Sequence, residues 1–158
     1  MNIAILCVGK LKERYWREAA AEYQKRLSRF GKIDVIELPD LPESSKPSPT
    51  EEQKIRVAEG RQILSKIRPD DLVVALMING REMDSPTLAK ELAGAIDSGR
   101  RLVFVIGGSL GLSDEVEERA QRTLSFSPLT FPHQLARIML LEQIYRCCKI
   151  NAGERYHK

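Results

Sequence analysis

The sequence predicts an α/β protein, a mainly parallel sheet with helices on both faces, built as one domain of 158 residues. Three observations carry that prediction. Short apolar runs rich in Val and Ile alternate along the chain with amphipathic stretches of helical period. Two of the runs, Leu72–Ile78 and Leu102–Ile106, contain no polar residue, as expected of strands covered on both faces. The turns between runs carry Gly, Pro, Asn and Ser in the positions that stop helices and strands.

Each element follows in order. Asn2–Val8 (NIAILCV) reads as a buried strand ending at Gly9. From Leu11 the period becomes helical. Leu11, Tyr15, Ala19, Tyr23, Leu27 and Phe30 form an apolar stripe, Arg14, Arg17, Lys25 and Arg29 lie off it, and Gly31 is the expected stop. Ile33–Leu38 alternates apolar with acidic residues, which suits an edge strand. Pro39 to Pro49 is proline-rich and reads as a loop. Thr50 with Gln53 signals a helix through about Arg68. After the strand at Leu72–Ile78, Asn79–Gly80 turns the chain, Ser85 caps a helix with Pro86 behind it, and Gly99 stops that helix. Leu102–Ile106 is the next strand, Ser113 caps a short helix, Thr123–Phe126 is a short strand, and His133 to about Asn151 is the last helix.

The totals narrow the function. Hydrophobic content of 42% and charged content of 30% exclude wholesale disorder and fibrous repeats. No apolar run approaches the ~20 residues that span a bilayer, and no basic leader or cleavage site precedes the first strand, so a cytoplasmic protein is expected. Cys7, Cys147 and Cys148 have neither zinc nor CxxC spacing; we expect reduced packing residues and no metal site. Net charge is only +3, yet residues 10–32 carry eight Lys/Arg against three Asp/Glu. Basic ends flanking an acidic middle are either solvated helix faces or surfaces that meet phosphates.

Candidate chemistry concentrates between Leu102 and Arg137. Gly107-Gly108-Ser109-Leu110-Gly111 follows a strand but lacks the Gly-Lys-Ser/Thr ending of a P-loop and the GxGxxG of a dinucleotide site. It does fit G-x-S-x-G, with Ser109, Asp114 and His133 in hydrolase order. A nucleophile elbow needs its helix directly after the serine, however, and here the cap falls at Ser113. We therefore read Ser109 as a spectator in a turn that either admits a ligand close to backbone or only reverses the chain. The loop Ser125–His133 holds two prolines and two aromatics, and its Leu129 has no helical or strand phase. Such a loop can wall an adenine ring or simply connect two elements. Arg137 lies on the apolar side of the last helix, beside His133 and Ile144, and requires a partner: an internal carboxylate, or an anion at a site or subunit interface.

Beyond these readings, a set of segments resembles a known family. Val8-Gly9-Lys10-Leu11-Lys12, Phe104–Ser109, Leu124–Ser127, Thr130–Gln134, Arg137, Glu142–Arg146 and terminal Tyr156-His157-Lys158 are together similar to the ribosomal large-subunit methyltransferase H family, which belongs to the SPOUT class of α/β-knot methyltransferases. The resemblance covers essentially the whole chain. It implies a C-terminal trefoil knot, a homodimer, and S-adenosylmethionine as cofactor. The implied substrate is a pseudouridine of 23S rRNA in the assembled ribosome, at the subunit interface, methylated at N3. It also implies that the cofactor lies against Leu76, Gly107 and the loop residues Phe126, Ser127, Pro128, Leu129, Thr130 and Phe131. With that activity, His133 is the first candidate base or base-orienting group, Tyr156 or His157 the second, and Arg137 a stabiliser of a developing uracil anion or a phosphate. Lys12, Lys25, Arg26, Arg29, Arg155 and Lys158 are the expected RNA contacts. Two other readings are a non-catalytic ribosome-associated RNA-binding protein and a serine hydrolase acting through Ser109.

Overall fold

A computed structural model describes all 158 residues. Five parallel strands, β1 (Asn2–Val8), β2 (Lys32–Leu38), β3 (Leu72–Leu76), β4 (Leu102–Ile106) and β5 (Arg122–Leu124), form one sheet in the order β2-β1-β4-β3-β5. The helices are α1 (Arg14–Leu27), α2 (Pro49–Leu64), α3 (Ser85–Asp97), α4 (Asp114–Arg119) and α5 (His133–Asn151).

Alternation along the strands divides the core between the two faces. Ile3, Ile5 and Cys7 of β1 and Leu102, Phe104 and Ile106 of β4 pack with α1, α3 and α5. Ala4, Leu6 and Val8, with Val103 and Val105, pack with Ile63 of α2 and with Leu112 and Val116 at α4. Helices therefore cover both faces, as predicted, and β2 is an edge strand, as its acidic alternation required. The three cysteines are free and buried. Burial pushes the Cys7 and Cys147 thiols up to about 12 and Cys148 to about 11, so all three remain packing residues at neutral pH.

Several boundaries differ from the expectation for local reasons. Helix α1 begins at Arg14 and ends at Leu27, with Ser28 as its C-cap, so Gly31 belongs to the turn into β2 and not to the helix end. Tyr15 is 61% exposed; the buried residues of α1 are Ala20 and Leu27, with Trp16 and Tyr23 packed on the same core. The cap of α2 is Ser48, whose hydroxyl accepts Glu51 N–H while the Glu51 carboxylate accepts Ser48 N–H, so Pro49 is the first helical residue. Asp84, not Ser85, caps α3 through Thr87 N–H. Strand β5 stops at Leu124, and the single Ser125 hydroxyl proton is shared between the carbonyls of Ile78 at 2.8 Å and Ser127 at 3.1 Å. No helix is long and apolar enough to cross a membrane.

Candidate active site

The C-terminal ends of β3 and β4 open into a cavity of about 670 Å³, the place where open parallel sheets bind ligands. Its floor is the turn Gly107–Gly111 and its wall is the loop Ser125–Pro132. Leu76, Gly107, Phe126, Ser127, Leu129, Thr130 and Phe131 line it, together with His133; Pro128 does not. Serine hydroxyls also tie the loop down, since Leu129 N–H donates to Ser127 Oγ at 3.0 Å and Ser125 Oγ to Ile78 O at 2.8 Å. Leu129 is 68% exposed and Ile78 52% exposed, an apolar rim open to solvent. Ile78, Asn79, Leu112 and Glu117 also line the cavity. Sequence reasoning missed them because they sit in turns or on a short charged helix, where no periodicity marks the inward side.

His133 is the first residue of α5 and its imidazole rests on the turn after β1. A Cβ built on Gly9 would lie 2.7 Å from His133 Cε1, and Gly9 has φ +93°, so only glycine allows this approach without strain. The Nδ1 atom of His133 is buried without a partner. Burial first, and then the Arg137 charge, lower the His133 pKa from its ordinary value, so the ring is neutral at pH 7 and able to accept a proton.

Arg137 does not face the cavity. It is fully buried, its Nη1 donates to Glu37 Oε1 at 2.6 Å, and its Nη2 donates to Gly9 O at 2.9 Å. Glu37 Oε1 also accepts Leu11 N–H at 3.1 Å. The guanidinium thus ties α5 to the ends of β1 and β2 and the approach to α1. The expectation that it meets a uracil anion or a phosphate gives way to the internal carboxylate, whose pairing offsets part of the cost of a buried charge, although Arg137 Nε has no partner.

The tail residues lie elsewhere. His157 lines a second groove of about 740 Å³ between α3 and α5, together with Asp84, Met139, Glu142 and Gln143. Tyr156 donates to Glu142 Oε1 at 3.2 Å, its ring meets Tyr145 edge-on at 5.0 Å, and Arg146 stacks over it at 4.8 Å. Burial, and then Glu142, raise the Tyr156 pKa, so the phenol is a proton donor at neutral pH and a poor base. Leu124, Ser125 and Phe126 border both groove and cavity, forming a common wall between His133 and His157.

The basic residues also divide. Arg29 pairs with Glu154 at 2.6 Å and Arg26 stacks on Tyr23 and Tyr145, which gathers the end of α1 and the tail on one surface. Lys25, Arg155 and Lys158 are exposed near that end by their place in the chain, whereas Lys12 precedes α1, roughly 20 Å away along the helix. Ser109 donates to Glu43 at 3.0 Å and makes no bond to His133, so no hydrolase triad is assembled.

A family model described as "Predicted SPOUT methyltransferase" matches residues 1–157. The chain belongs to the SPOUT methyltransferase family. Within it, two curated relatives bear the name "Ribosomal RNA large subunit methyltransferase H": one from Lactobacillus acidophilus, 50% identical over 159 residues, and one from Lactobacillus delbrueckii subsp. bulgaricus, 53% identical over 161 residues. Both comparisons cover 100% of each chain. Among solved structures, a probable methylase family protein from Haemophilus influenzae superposes with TM-score 0.55 at 14% identity, covering 99% of this chain and 70% of the other, which extends the likeness in fold alone. In this SPOUT chain the matched region includes the cavity, the groove and Tyr156–His157.

Proposed function

We propose that the protein is a homodimeric, cytoplasmic enzyme that transfers a methyl group from S-adenosylmethionine to N3 of a pseudouridine in 23S rRNA of the assembled ribosome. The observation that carries this reading is the cavity. Seven positions implied by family resemblance, scattered between Leu76 and Phe131, converge on one space of a size suited to a nucleoside cofactor. Its composition fits as well: apolar Leu129 and Ile78 at the rim suit a flat adenine, and the glycine turn brings backbone polar groups close. The full-length relatives named for rRNA large-subunit methylation support the substrate.

S-adenosylmethionine would supply a sulfonium-activated methyl group, its S–C bond breaking to leave S-adenosylhomocysteine as the N–C bond forms, so the reaction asks the protein for alignment and for removal of the imide proton. His133, neutral and beside the cavity, takes that proton directly or through water. Arg137 acts indirectly, by holding α5 and therefore His133 against Gly9. The homodimer accounts for the apolar residues Ile138 and Met139 that α5 presents to the groove. It also offers a route by which Tyr156 and His157, neither of which lines the cavity of its own chain, reach a reaction centre. The C-terminal knot belongs to the same family-based reading.

RNA contact falls to Arg26, Arg29, Lys25, Arg155 and Lys158 at one end of α1 and to Lys12 at the other. So small a basic surface suits recognition of an assembled shape more than of a long sequence. Radiolabelled methyl transfer to intact ribosomes is expected to exceed transfer to naked 23S rRNA, and Lys25, Arg26 and Arg29 replaced together by alanine should weaken it with a shallower salt dependence. Strong methylation of naked rRNA, indifferent to those replacements, would contradict the proposal.

A further inference from the structure

Two acidic side chains connect the proline-rich loop to the glycine turn. Glu43, within the loop, accepts the Ser109 hydroxyl at 3.0 Å. Glu59, on α2, accepts Leu41 N–H of the loop at 3.1 Å through Oε1. Glu59 is only 5% exposed, and its Oε2 is buried with no hydrogen-bond partner. A Cβ built on Gly108 would lie 3.0 Å from that oxygen and 3.1 Å from Val8 Cγ1. The carboxyl therefore fills the space that a side chain at position 108 would need, beside the turn that floors the cavity.

An unpartnered buried carboxyl oxygen is costly, and a side chain serving only to fill space would be apolar. The geometry points to Glu59 as a positioning residue for cofactor binding: it fixes the height of the Gly107–Gly108 backbone and links that turn to the Pro39–Pro49 loop through Leu41. This inference rests on the reading of the cavity as the S-adenosylmethionine site. Burial raises the Glu59 pKa, the Leu41 N–H opposes that rise, and Asp40 and Glu43 add to it. Glutamine has the same length and accepts the same Leu41 N–H through its amide oxygen.

Asp and Gln variants separate reach from charge. In Glu59→Asp the carboxyl is one methylene shorter and withdraws from Gly108, whereas Glu59→Gln keeps the length. Calorimetric titration with S-adenosylmethionine, with steady-state methyl transfer to ribosomes, is the test. Glu59→Asp should weaken cofactor binding about tenfold and raise cofactor KM by the same factor with kcat at saturation unchanged, while Glu59→Gln stays within about twofold of the wild type. A residue serving stability alone would lower the melting temperature of both variants without moving KM. Binding by Glu59→Asp within about twofold of the wild type, or equal weakening in Glu59→Gln, would overturn the proposal. Failure of the wild type to bind S-adenosylmethionine would instead overturn the cofactor reading, and this inference with it.

Discussion

His133→Gln is expected to lower methyl transfer by about 10²–10⁴-fold, the usual contribution of a positioned general base, while S-adenosylmethionine still binds. Truncation after Arg155, which removes Tyr156 and His157, should likewise abolish transfer and spare binding, because neither residue lines the cavity of its own chain. The pH profile separates His133 from a purely steric role. Burial and Arg137 lower its pKa, so the unfolded state binds more protons than the folded state over the interval between the folded pKa and about 6.5. Stability contributed by the neutral ring is accordingly present above about 6.5 and lost as pH falls through the folded value. Activity should fall on the same acidic side, and that limb should vanish in His133→Gln. A full-rate variant with an unchanged acidic limb would remove His133 from the reaction.

Arg137→Met is expected to destabilise the fold by about 3 kcal/mol, because it takes the cation from the partly exposed Glu37 and leaves Gly9 O without its donor. For a chain of this size that lowers Tm by roughly 9 °C. The Glu37 side chain keeps 33% exposure, so Glu37→Gln alone should cost less, and the double variant should be less unstable than the sum of the two. Loss of activity should follow displacement of His133, recovering in part at lower temperature, where the fold is restored. Additive stability effects in the double variant would show that the pair is not coupled.

Much of the scaffold is legible in the sequence. Asn2–Val8, Leu102–Ile106 and His133–Asn151 have in the structure the bounds that sequence reasoning assigns, since each is an uninterrupted apolar or helical pattern closed by Gly, Pro or a polar turn. Helix starts are less legible where two capping residues compete. Ser48 prevails over Thr50 because Pro49 suits the first helical position, and Asp84 over Ser85 because its carboxylate reaches Thr87 N–H. The partner of Arg137 is separated from it by 100 residues, and only strand register brings Glu37 beside it. Glu59 was invisible for a similar reason: nothing in the weakly patterned α2 signals that one carboxylate will meet a glycine turn nearly fifty residues later. The cavity wall was the most legible part of the site: two prolines and an unphased Leu129 mark a stiff loop, which the sequence leaves open between a ligand wall and a connector, and the structure places it at the cavity.

Thermal unfolding in the presence of S-adenosylmethionine separates a cofactor-using enzyme from a bare ribosome-binding protein. At 100 times its dissociation constant the cofactor should stabilise the folded chain by about 2.7 kcal/mol, raising Tm by roughly 5–10 °C in a protein of this size. A concentration-dependent rise of that order is the predicted result. An unchanged Tm at every cofactor concentration would contradict the account and favour a non-catalytic ribosome-binding protein.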